Sequence, residues 1–186
     1  MARLAAYIPA AESIPIGIIP ALIHGLIQTH PTRAHAAHLA ALVTRYVQGG
    51  VRELINRYEI SFPRLSSVVK EGKDDESGNA AVALAECAKE KDSLNKMRET
   101  GCLEALVQCM QTRTGHTQRN AAIALARASQ DPINLQRVRA LHGIELMHKV
   151  KTDGGQGQTQ TPSFPSSPQQ SPQQSSSSSV SPTKTS

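Results

Sequence analysis

The chain has 186 residues and a formal net charge of +5, and its aromatic rings other than histidine are three Tyr and two Phe, with no Trp. Such a length admits one or two ordinary domains, and the lack of any run of eighteen apolar residues excludes a helix that spans a membrane. So few rings leave little platform for stacking bases, which weakens a nucleic-acid role even though Arg113, Arg119, Arg127, Arg137 and Arg139 crowd the last part of the core.

The first twenty-odd residues are apolar in their middle, yet Pro9, Pro15, Pro20, Glu12 and the single Arg3 do not fit a secretory signal. Helical spacing begins at 18–28, where Ile19, Leu22, Ile23 and Leu26 make one inward face and Pro20 stands early, in the turn whose N–H groups have no intrahelical partner. This stretch has more apolar residues than one stripe needs. With Leu4, Tyr7 and Ile8, the surplus predicts an apolar N-terminal patch suited to self-association. Further helices are predicted at 31–48, 51–58, 62–70, 75–89, 91–100, 102–111, 115–129, 132–141 and 144–150. An acidic loop, Glu71 to Gly78, precedes the 75–89 helix, and its charge complements the helix N-terminus. Gly101 and Gly143 follow short helices and are expected at positive φ, the geometry that lacks Cβ strain only for glycine. From about 151 to 186 the composition turns to Ser, Pro and Gln, with Phe164 and Val180 as its only large apolar residues, and predicts a disordered tail. Thr161, Ser167, Ser171 and Ser181 each precede proline there, as proline-directed phosphorylation requires.

The helices repeat. Asn79-Ala-Ala-Val-Ala-Leu-Ala85 returns as Asn120-Ala-Ala-Ile-Ala-Leu-Ala126, six of seven positions identical at a separation of 41. Leu103-Glu-Ala-Leu106 falls on Ile144-Glu-Leu-Met147 at the same separation, and two upstream copies begin at Ile19 and Phe62. A period near forty is the signature of stacked helical units, none of which can bury its apolar face alone. The copies lie near 15–58, 59–100 and 101–141, with a partial one at 142–150; the stretch 51–61 lacks the glycine that the other copies suggest.

These phrases resemble the armadillo repeat family. Its repeat has a short helix closed by glycine, a Gly-x-Ile-Pro-x-Leu helix as in Gly17 to Ile23, and a long Asn-x-x-Ala-x-x-Ala-Leu helix as in Asn79 to Ala88. HEAT repeats are the nearest alternative, but lack the glycine-closed short helix. A fainter likeness, through Gln118 to Ala126 and Leu141 to Glu145, is to the C-terminal armadillo arm of tetratricopeptide-repeat proteins of the co-chaperone and dynein-assembly type. The resemblance implies an all-α, right-handed superhelical solenoid over residues 1–150, acting as a non-catalytic scaffold in the cytoplasm or nucleus. It also implies that the long helices line a groove for other proteins or extended peptides. Thr44, Glu86 and Arg127 fall where the family carries a ladder of asparagines, and Asn79 and Asn120 lie on the same helices. Since none of the first three is Asn, the resemblance implies side-chain-specific, charge-complementary contacts in place of a repeated backbone clamp.

For catalysis the residues offer nothing convergent: no Gly-x-Ser-x-Gly, no glycine-rich phosphate loop and no His-Glu-x-x-His. His35 and His38 are three apart on one helix, but no cysteine or carboxylate with ligand spacing lies near them, so no metal or cofactor is expected. Cys102 and Cys109 are about 10 Å apart on one helix, too far for a disulfide. With Cys87 they read as reduced, buried thiols.

Overall fold

The computed structural model describes residues 14–155. The tail with Thr161, Ser167, Ser171 and Ser181, and the N-terminal residues Leu4, Tyr7 and Ile8, lie outside the described residues. Within them the fold is all-helical. A 3-10 turn at Ile16–Ile18 leads into α1 (Ile19–Gly25), α2 (Thr32–Tyr46), α3 (Gly50–Asn56), α4 (Tyr58–Glu71) and α5 (Asp74–Cys87). Then come α6 (Lys91–Glu99), α7 (Cys102–Thr112), α8 (Gly115–Ala128), α9 (Pro132–Ala140) and α10 (Gly143–Gly155).

Equivalent helices pack side by side. α5 lies between α2 and α8, while α7 packs on α4 and on α10. Alanines make the close approach within the first row feasible: Ala37 and Ala40 of α2, Ala80 and Ala83 of α5, and Ala121 and Ala124 of α8 are all fully buried. Between the rows, Phe62, Leu65, Leu84, Leu103, Leu106, Met110 and Leu125 fill one continuous core. Side chains also reach across helices to backbone carbonyls about one period away. Arg64 donates to Ile23 O at 2.9 Å, Arg127 to Ala85 O at 2.8 Å, Asn134 to Leu94 O at 3.0 Å and Thr117 to Asp74 O at 3.0 Å.

Ile19, Leu22, Ile23 and Leu26 pack inward as their spacing predicts, while Ile16 and Ile27 are 44% and 55% exposed. The three thiols, Cys87, Cys102 and Cys109, are free and buried. Burial pushes Cys102 and Cys109 up to about 11 and Cys87 higher still, so none is a ready nucleophile at neutral pH.

Three local features depart from the sequence reading. At 51–61 the missing glycine leaves the chain without a left-handed corner. It turns at Arg57 instead, and α4 starts four residues before the predicted 62, carrying Pro63 inside it. Ser61 donates to Leu54 O at 2.8 Å and binds the two helices at that corner. The second departure is at Gly143. Gly101 has φ +72 as expected, but the residue 41 positions on is His142, and it is His142 that takes φ +57. Gly143 is glycine for space, since a Cβ there would lie 2.7 Å from Val138 Cγ1 and 3.1 Å from Leu125 Cδ2. Lastly, α10 runs on through 151–155, which the composition had assigned to the tail.

At Gly101 an added Cβ would meet only Glu104 Oε2, at 3.9 Å, so the strain of a substitution there is conformational. Gly101→Val is expected to cost about 1–2 kcal/mol, the penalty of a branched residue in left-handed geometry. Urea unfolding measures it, and a midpoint equal to that of the parent would contradict the assignment.

Candidate functional site: the face of the long helices

The side of α2, α5 and α8 turned away from α4 and α7 carries two adjoining clefts. The wider, about 450 Å³, is lined by His35 and His38 from α2, Asp75 and Asn79 from α5, and His116 and Asn120 from α8. The narrower lies toward the C-terminal halves of the same helices, between Arg45, Val82, Glu86, Ile123 and Arg127, and Asn120 lines both. Asn79 and Asn120 are half-buried at equivalent positions on adjacent helices, and the Asn120 amide donates to Gly78 O at 3.3 Å.

Glu86 is the electrostatic centre of the narrow cleft. It is only 7% exposed, and three cations from three directions surround its carboxylate. Arg127 of α8 lies 3.4 Å and Arg45 of α2 lies 3.7 Å from Oε1, while Lys89, one turn on, contacts Oε2. Burial alone would raise the pKa of this carboxyl; the hydrogen bonds and charges of Lys89 and Arg127 outweigh that and hold it below the ordinary carboxylate range. One anion against three cations leaves a local surplus of positive charge, presented by Arg45 and Lys89, whose side chains are half exposed.

Of the three positions marked by the armadillo resemblance, Glu86 and Arg127 line this narrow cleft and Thr44 does not. Thr44 is 6% exposed and turns its hydroxyl back onto its own helix, donating to Ala40 O at 2.8 Å and Ala41 O at 3.2 Å. Its neighbour Arg45, which lies 41 residues before Glu86, faces the cleft instead. Arg127 is there too, but as a tie between helices more than a free side chain, because it also holds Ala85 O. Arg127→Glu would remove that bond and set a second carboxylate beside Glu86. A loss of about 1–3 kcal/mol is expected, and a melting curve superimposable on the parent's would show that the tie contributes nothing.

The acidic stretch before α5 also differs from the expectation of a loop. Asp74, Asp75 and Glu76 form the first turn of the helix, and Glu76 is fully buried. Its carboxylate accepts from Arg33 Nε at 2.8 Å and from the Lys73 backbone N–H at 3.0 Å, and lies 3.1 Å from His30 Nδ1. Burial again works against the charge, but the bonds from Lys73, His30 and Arg33 prevail and lower the pKa. A carboxylate at the third position of a helix whose preceding N–H is unpaired was the one local signal for this role.

His35, His38 and His116 share the wide cleft. Among the described residues, no three His, Cys, Asp or Glu side chains are grouped to hold a metal ion, and no helix is long and apolar enough to cross a membrane. No family model, curated protein or solved structure matches the chain.

Proposed function

We propose that this chain is an armadillo-like interaction module: a short right-handed superhelical solenoid with no chemistry of its own, which holds an extended segment of another protein along the α2, α5 and α8 face. What supports the solenoid is the recurrence of the sequence period in three dimensions. Helices about 41 residues apart lie side by side, and side chains such as Arg127 and Asn134 bond carbonyls 42 and 40 residues away. The observation that carries the binding role is the Glu86 cluster. A buried carboxylate fixes Arg127 in place and leaves Arg45 and Lys89 as a positive surplus, beside a cleft edged by the amides of Asn79 and Asn120. Such a face suits a peptide with an acidic side chain at the level of Arg45 and a backbone within reach of the amides. For the compartment we propose the cytoplasm or nucleus, which three free cysteines suit.

Selection of a displayed library of extended peptides against the full chain tests this reading. Peptides sharing an acidic residue are expected, with binding that weakens as salt rises. Arg45→Glu, at a side chain 48% exposed, should abolish their capture without unfolding the protein. Enrichment of basic peptides, or capture indifferent to Arg45→Glu, would contradict it.

A further inference from the structure

A third recess lies at the C-terminal end of the array, sharing Ile123 with the narrow cleft on the long-helix face. It is an apolar groove of about 590 Å³ between α8 and α10, walled by Ala122, Ile123 and Ala126 on one side and Ile144, Met147 and Val150 on the other. The repeat itself gives the meaning of these positions. One period earlier, Ala122 and Ala126 correspond to Ala81 and Ala85 of α5, which are 0% and 4% exposed because α8 packs over that helix. Ile144, Met147 and Val150 correspond to Leu103, Leu106 and Cys109 of α7, all fully buried. In the last repeat the same surface is less covered: Ala126 is exposed and Ala122, Ile144 and Met147 are half-buried, while Val150 stays buried. The groove thus has the form of a seat for one more long helix.

The composition of 156–186 does not match such a helix. Positions 156–186 contain no alanine and no leucine and include five prolines, whereas the helix seated one repeat earlier, α8, buries Ala121, Ala124, Leu125 and Ala128. The rim is cationic, with Arg119 on one side and Lys151 on the other, so a second copy of this groove would be repelled. We propose that the groove between α8 and α10 receives a single amphipathic helix of another protein, one with an alanine and leucine stripe spaced like the inward face of α8 and carboxylates on its flanks to meet Arg119 and Lys151. This is helix-in-groove recognition, in which apolar anchors give affinity and the rim charges select the partner. It does not rest on the peptide-binding reading of the long-helix face, although Ile123 borders both sites.

The test uses the full chain and two fluorescent synthetic helices, both with the α8 stripe, one with glutamate and one with lysine at the outward positions. Anisotropy should show saturable micromolar binding of the glutamate helix and about tenfold weaker binding, or none, of the lysine helix. Ala126→Glu and Ile123→Glu alter exposed positions and should each weaken the glutamate helix by about tenfold or more. Lys151→Glu should narrow or reverse the preference between the two helices, which a merely structural role for Lys151 would not do. No saturable binding, equal binding of both helices, or indifference to Ala126→Glu would overturn the proposal. So would tighter binding after deletion of 156–186, which would make the chain's own tail the occupant. Concentration-dependent self-association abolished by Ala126→Glu would likewise overturn it, in favour of a second copy.

Discussion

Glu76→Ala is expected to destabilise the protein by about 2–4 kcal/mol, because three hydrogen bonds to a charged, fully buried acceptor disappear together. The loss is smaller than the sum of three independent bonds, since the partly exposed His30 and Arg33 regain water, and removing the carboxylate also removes its own desolvation cost. A pH signature separates this charge from simple packing. The folded-state pKa of Glu76 is depressed, so the unfolded chain binds the proton more readily. The stabilisation is complete above the ordinary glutamate range, near pH 4.3, and is lost as the pH falls from there through the depressed folded value. Glu86 adds to the same acid limb, as its carboxyl is also held down. Glu76→Gln should therefore unfold more easily than the parent at pH 7 and lose less stability on acidification. Parallel acid-limb slopes for parent and Gln variant, measured by denaturant unfolding from pH 7 down to pH 3, would show that Glu76 carries no such charge linkage.

Leu125→Ala is expected to cost about 2–5 kcal/mol, the range for deleting a large aliphatic side chain from a packed interior. Leu125 is fully buried in α8, and its Cδ2 lies within 3.1 Å of the point where Gly143 would carry a Cβ. The leucine therefore binds α8 to the start of α10, and the void would loosen the last repeat first. Amide exchange should speed up in 115–151 more than in 32–46. A uniform increase from α2 to α10 would mean that the repeats unfold as one unit.

The helices were legible in the sequence because their apolar spacing and the 41-residue echo point the same way. Asn79 to Ala85 and Asn120 to Ala126 announce α5 and α8, and Ile19 to Leu26 announces the inward face of the first helix. Details that depend on one residue of register were not legible. Matching phrase to phrase in α2 selects Thr44, while strict counting by 41 selects Arg45, and a shift of one residue turns a helical side chain by about 100°. The same slip separates Gly143 from His142: the eye follows glycine, but the chain puts the left-handed corner 41 residues after Gly101 and uses the glycine one place on to avoid Val138. Glu76 looked like part of a solvated acidic run because its partners, His30 and Arg33, lie more than forty residues upstream and come together with it only when α2 packs on α5.

Amide exchange on the full chain bound to a selected acidic peptide tests the central claim, that the long-helix face is where this protein meets its partner. Slowed exchange is expected in three separated segments, around 35–45, 79–86 and 116–127, with no slowing in α10. Protection confined to 144–151, or slowing spread evenly over every helix, would contradict it.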